Sequence, residues 1–197
     1  MRTTQLIGRA AAALAVTAAG FTAGATAAYH WLDSAAATAA LRHDIGPWQT
    51  MKERAGFTDA FYIAQIARIG PFPNPPGEAL YFLAHNDSSG AALQADKTYR
   101  VCGRPLPARF WSIAAYDAAG TFFANDAQRS SYTNSNVAMD APDQFCIIVG
   151  PTRSSGNWLP TNGDGRAQLL LRLYQPAADI WPSLTVQTVP SIVEVKS

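Results

Sequence analysis

The sequence predicts a mainly β protein: an antiparallel β-sandwich with one short preceding helix and an N-terminal hydrophobic helix. Three observations carry that expectation. From Glu78 onward apolar residues recur with a period of two, in about seven or eight short runs punctuated by turn residues. Just before them, Thr58 stands as an N-cap, Asp59 suits a helix first turn, and Tyr62, Ile66 and Ile69 recur at helical spacing. Gly70-Pro71 then stops that helix, which is expected over Asp59–Ile69. At the start of the chain, an uncharged and mostly alanine run from Ala10 to Ala28 follows Arg2 and Arg9.

That run follows the plan of a secretory signal, with a basic start, an apolar middle and a small-residue site around Ala25-Thr26-Ala27. About 20 uncharged residues also suffice to span a bilayer, so an uncleaved anchor fits the same residues. Either way Arg2 and Arg9 stay cytoplasmic and the remainder is exported. The chain of 197 residues therefore divides into a signal anchor or signal peptide over 1–28, a connector over 29–57 and a β-sandwich domain over 58–197. Within the connector, Tyr29, Trp31 and Trp48 suit a membrane interface, although Trp48 after Gly46-Pro47 could equally pack on the domain.

Hydrophobic residues at 48% and aromatics at 11% are enough for a buried core. A formal net charge of +1 gives no electrostatic reason to expect nucleic acid as a partner. Charged residues make up only 15%, which implies a nearly neutral surface.

In chain order, strands are expected at Ala79–Asn86, at Ala91–Leu93 after the Asp87-Ser88-Ser89-Gly90 turn, and at Tyr99–Cys102. Further runs are Phe110–Asp117, Thr121–Ala124 and Phe145–Val149, with a long polar loop over Asn125–Asp143. The organising stretch begins at Asn157-Trp158-Leu159-Pro160, read as an extended loop, and turns at Asn162-Gly163-Asp164-Gly165. It ends in a strand from Ala167 to Gln175. There Ala167, Leu169, Leu171 and Leu173 share a wholly apolar face, while Gln168, Leu170, Arg172 and Tyr174 share the other. The C-terminal Thr185–Val195 reads as one or two strands broken by Pro190, and so as an edge.

Two cysteines, Cys102 and Cys146, sit in strand-like runs of an exported domain. A disulfide and a pair of buried thiols on neighbouring strands both fit. Three histidines, His30, His43 and His85, two of them ahead of the domain, do not make the cluster that a metal site needs, so neither metal nor cofactor is expected. No Gly-x-Ser-x-Gly elbow occurs. Ser88 or Ser89 with His85 as base is the one nucleophile–base pairing that the spacing brings near, and a hydrogen-bonded turn histidine is the simpler reading.

Four pieces of sequence carry a family resemblance. They are Glu78-Ala79-Leu80-Tyr81-Phe82 with Asp87 and Gly90, Leu106-Pro107-Ala108-Arg109-Phe110-Trp111-Ser112 leading to Tyr116-Asp117, Asn125 with Arg129 and Tyr132, and Asn157-Trp158-Leu159-Pro160 leading to Leu171-Arg172-Leu173-Tyr174-Gln175-Pro176. From about Gly46 onward the chain resembles the bacterial domain of unknown function 1214 family. It is similar to the short, stand-alone form with an N-terminal membrane segment, lacking the 1254-family domain that precedes this one in longer relatives. The resemblance implies a jelly-roll-like version of the sandwich. It also favours the anchor reading, with a single pass through the bacterial inner membrane and the domain in the periplasm; the alternative is a soluble periplasmic protein after signal cleavage. It carries over no catalytic residues.

The candidate ligand-binding residues are Arg109, Tyr116, Asn125, Arg129, Tyr132, Asn157, Arg172 and Tyr174. Arginine's planar fork suits carboxylate, phosphate or sulfate, and tyrosine suits sugar rings or amides, so a small anionic or sugar ligand is the expected class. A structural reading competes: a strand arginine can tie a loop through Asp117, Asn157 can bond backbone groups, and Trp158 can plug the sandwich end. Three functions follow, namely a membrane-tethered binding or accessory module, a hydrolase- or lyase-like enzyme on a carboxylated or sugar substrate, and a structural partner of an envelope complex.

Overall fold

A computed structural model describes residues 2–34, 39, 42–51, 63–64, 74–75 and 77–196. The chain separates into two units, one holding the N-terminal helix and the other comprising Arg42–Gly56 with Pro73–Ser197. The first contains α1, Arg2–Leu32, in which Gln5–Leu32 is long and apolar enough to cross a membrane. Alanine, the best helix former, favours this long helix by its intrinsic propensity. The helix runs past Ala28 into residues expected to belong to the connector. The short helix expected over Asp59–Ile69 lies outside the described residues, except for Ile63 and Ala64, which are helical.

The second unit is a mainly antiparallel β-sandwich. Its first sheet holds β1 (Arg42–Ile45), β2 (Trp48–Met51), β3 (Ala79–Ala84), β5 (Ala108–Asp117), β6 (Ser131–Thr133) and β10 (Ala167–Pro176), in the order β1-β2-β3-β10-β5-β6. The second runs β11-β4-β8-β7, from β11 (Ser191–Glu194), β4 (Tyr99–Gly103), β8 (Gln144–Gly150) and β7 (Met139–Ala141). β9 (Trp158–Pro160) joins β8 in parallel, pairing Ile148 with Trp158 and Val149 with Leu159. A single helical turn, Ile180–Ser183, precedes the last strand.

The inner faces meet where the sequence alternation places them. Leu169, Leu171 and Leu173 are at most 1% exposed, and each such leucine contributes about 2 kcal/mol of burial. Trp111 of β5 stacks on Phe145 of β8 across the layers, with ring centroids 4.8 Å apart. Trp48 belongs to the core rather than to a membrane interface: it is fully buried, and its Nε1 donates to the Pro190 carbonyl at 2.7 Å. Through that contact and the β1–β2 hairpin, residues 42–51 are part of the sandwich, although the sequence reading had them in the connector.

Other departures concern short elements. The polar loop expected over Asn125–Asp143 contains β6 and β7. Each is three residues long, too short for a period of two to register, and each lies at a sheet edge. Thr121–Ala124 reduces to one bridge between Phe122 and Tyr116, and Ala91–Leu93 to one between Ala92 and Asn86. The Trp158–Pro160 segment, read as a loop, is a strand because β8 supplies a ladder. Near the C-terminus only Ser191–Glu194 is a strand, and it does form an edge. Gly163 and Gly165 take the positive φ angles, +75° and +109°, that the turn into β10 requires.

Polar groups fasten the turns. The carboxylate of Asp87, buried at 5% exposure, accepts from Ser89 N, Ser89 Oγ and Ala91 N at 2.7–2.9 Å. Burial by itself would raise its pKa, but these bonds and that from Gly90 outweigh burial and hold it below the ordinary carboxylate value. A depressed folded-state pKa gives stability that is present above the unfolded value, near 4, and lost as pH falls through the folded one. Asp87→Asn is therefore expected to lower unfolding free energy by about 1–2 kcal/mol at pH 7 and by less at pH 3. Urea titrations at the two pH values check this, and a gap as large at pH 3 as at pH 7 would contradict it.

Candidate functional site

The alternation that buries the β10 leucines sends Arg172 and Tyr174 to the outer face of the first sheet. There Arg172 Nη2 donates to the Tyr116 hydroxyl at 2.6 Å, and the Tyr116 ring stacks on Phe122 at 4.4 Å. Tyr174 lies among Tyr81 and Phe110 on that face, with centroids 6.5 and 5.8 Å away. The carboxylate of Asp117, considered as a partner for the strand arginine, instead closes its own turn by accepting from Ala119 N and Thr121 N. Arg109 is exposed and donates to the Gln175 side-chain oxygen at 2.9 Å. Arg172, Tyr116 and Tyr174 thus share one face, whereas Arg109 is engaged with Gln175 near the end of the β5–β10 ladder.

Arg129 and Tyr132 lie elsewhere. Tyr132 points inward from β6, and its hydroxyl accepts from Arg129 Nη1 at 2.7 Å and from Trp158 N at 3.0 Å. The Arg129 guanidinium carbon is 5.1 Å from the Tyr132 ring centre, a cation–π contact that orients the arginine. Asn125 sets the loop beneath: it accepts from Arg129 N and donates to the carbonyls of Arg129 and Phe123. Its polar atoms are used by main chain, so Asn125 presents Arg129 rather than a ligand.

Asn157 has the same character. Buried at 6% exposure, it accepts from Ala138 N and donates to the carbonyls of Ala138 and Cys146. All its strong hydrogen-bonding positions serve as a clasp between the loop after β6 and strand β8. Trp158 fastens the next position, with Nε1 donating to the Gly150 carbonyl at 2.9 Å.

These fixed groups frame an open cleft of about 990 Å³ lined by Asp126, Arg129, Arg153, Ser154, Ser155 and Trp158, with the small Ala127 and Gly156. Two arginines and a tryptophan line a space to which Asp126 brings the one acidic residue. That composition favours an anion held by arginine forks and packed against an aromatic ring. Arg153, Ser154 and Asp126 were not among the sequence candidates. The signal for Arg153 was weak, a single arginine within Thr152–Gly156, a Ser/Gly loop just before the Asn157-Trp158 pair.

The serine–histidine pairing does not assemble. Ser88 Oγ accepts from Ile192 N and Ser89 Oγ donates to Asp87, and among the described residues no hydrogen bond joins either serine to His85. Burial, followed by the charges of Arg166 and Arg42, lowers the His85 pKa and favours the neutral ring.

A two-sheet sandwich with an arginine- and tryptophan-lined cleft at one end is the class of protein that these features define. The chain belongs to the family described as "Protein of unknown function (DUF1214)", whose profile matches residues 78–178. No curated protein matches the chain. Among solved structures, the VPA0106 protein from Vibrio parahaemolyticus is similar with a TM-score of 0.60 at 22% identity, over 72% of this chain and 36% of that one. An uncharacterized protein from Burkholderia cenocepacia gives a TM-score of 0.47 at 20% identity, over 68% of this chain and 33% of that one. The chain thus spans about a third of the length of these structures, and at such identities the first likeness shows the fold alone.

The clasp and the outer-face arginine should respond differently to truncation. Asn157→Ala strips three buried bonds and is expected to cost about 2–4 kcal/mol. Arg172→Ala removes a half-buried contact to a hydroxyl and is expected to cost about 1 kcal/mol or less. Thermal melts of both variants check the ranking, and a larger loss for Arg172→Ala would reverse it.

Proposed function

We propose that this chain is a membrane-tethered, periplasm-facing binding module that holds a small anionic ligand, a carboxylate or a sugar acid, in the cleft between Arg129, Arg153 and Trp158. The observation that carries the reading is that two arginines and a tryptophan line an open space of about 990 Å³. Arg129 is held by Tyr132, so part of the site is organised before a ligand arrives. Arg153, on a Ser/Gly loop, supplies the adaptable second fork. Binding is favoured over a hydrolase- or lyase-like reaction because glycoside hydrolysis generally uses a pair of carboxylates, and the lining contributes Asp126 alone. The tether reading rests on Arg2 and Arg9 preceding the uncharged run Ala10–Ala28 within the apolar helix.

The cleft is tested by thermal shift with a panel of probe anions, including succinate, citrate and galacturonate. An anion present at ten times its Kd stabilises by about 1.4 kcal/mol and raises Tm by roughly 3–5 °C. Arg153→Ala is expected to abolish the shift while leaving the unliganded Tm within about 1 °C, since Arg153 is exposed. A panel without any shift, or a shift that survives in Arg153→Ala, would count against the cleft.

The tether is tested separately, by mass spectrometry of fractionated cells. Peptides spanning Ala10–Ala28 are expected on the mature protein in the membrane fraction. A soluble periplasmic form beginning near Ala28 would replace the anchor with a cleaved signal.

A further inference from the structure

Cys102 on β4 and Cys146 on β8 are direct register partners, their Cα atoms 4.1 Å apart and their sulfurs joined. Their neighbours Val101, Phe145 and Ile147 are buried in the core, so the alternation of strand residues puts both cysteines on the outer face of the second sheet. Both are half-buried, within reach of solvent. The two strands are paired by a backbone ladder from Tyr99 to Gly103, which holds them together whether or not the sulfurs are bonded.

The two ends of the bond differ. Arg100, two residues before Cys102 and on the same face, brings Nη2 to 3.8 Å from Cys146 Sγ. Among the described residues no side-chain hydrogen bond reaches Cys102 Sγ. A nearby cation stabilises a thiolate, so negative charge is favoured at Cys146. The flanks differ as well. Across from Cys102 on the edge strand β11 stands Ser191, a small residue whose hydroxyl donates to the Cys102 carbonyl at 3.3 Å. On the other side the main chain of Cys146 is held by the Asn157 clasp, which bonds the Cys146 carbonyl and both backbone groups of Ala138.

We infer that Cys102–Cys146 is a thiol–disulfide exchange site, at which an external thiolate attacks Cys102 and Cys146 departs as the thiolate beside Arg100. The attacking sulfur bonds to Cys102 Sγ as the bond between the two cysteines breaks, and its electron pair leaves on Cys146. The products are a mixed disulfide at Cys102 and an anionic Cys146. A second thiolate, from the same dithiol or a further monothiol, then displaces Cys102 and leaves both cysteines reduced. The thiol reagent supplies both electrons and is itself oxidised to a disulfide.

The test uses the full chain in detergent, without denaturant, with reduced glutathione as monothiol and dithiothreitol as dithiol. After brief glutathione treatment and alkylation, peptide mapping is expected to find glutathione on Cys102 and the alkyl group on Cys146. Dithiothreitol is expected to release both cysteines while the β circular dichroism persists. Arg100→Gln should slow the glutathione step about threefold, and Arg100→Lys should recover most of the rate. Glutathione found mainly on Cys146 or divided evenly, an unchanged rate in Arg100→Gln, or a bond that resists both thiols until urea is added would each overturn the assignment.

Discussion

Strand β10 is held on both sides, by β3 through pairs from Leu169–Ala84 to Tyr174–Ala79 and by β5 through pairs from Ala167–Asp117 to Pro176–Ala108. Its register is the constraint on which the rest of the sandwich depends. A slip of one residue would move Leu169, Leu171 and Leu173 to the outer face and carry Arg172 into the core. The unfavourable burial of an unpaired guanidinium and the loss of three buried leucines oppose that slip together. With β10 fixed, β5 brings Trp111 over Phe145, and the second sheet is aligned through that stack.

The cleft follows from this frame at one remove. Its walls are loops, and loops hold a shape only when their backbone polar groups find partners. Asn125 supplies those partners on one side and Asn157 on the other, each bonding main chain with both ends of its amide. Tyr132 links the two sides by accepting from Arg129 and from the backbone of Trp158. The outer face of the first sheet has a different chemistry, with arginine and phenol paired to each other.

Much of the fold was legible because burial imposes a period. The alternation in Ala167–Tyr174, in Phe145–Val149 and in Tyr99–Cys102 marked strands that the structure contains. Three-residue edge strands such as Ser131–Thr133 carry too little pattern to be read. The parallel β9 also escaped, since its strand character comes from β8 and not from its own residues. Trp48 was ambiguous for a related reason: an indole suits a membrane interface and a core equally, and only the Pro190 carbonyl decided between them.

For the candidate site, residue types pointed to polar groups of the right chemistry but not to their groupings. Sequence alone determined that Arg172 and Tyr174 share a strand face, that Ala10–Ala28 is apolar enough for a bilayer, and that Leu169, Leu171 and Leu173 share the opposite face, because each of these follows from local composition or a two-residue period. Tertiary structure decided that Arg129 lines one cleft with Trp158 and Arg153 while Arg172 bonds Tyr116, and that Cys102 lies opposite Cys146. Those pairings join residues far apart in the chain, and they are set by which strands become neighbours, a choice made by the packing of the whole core.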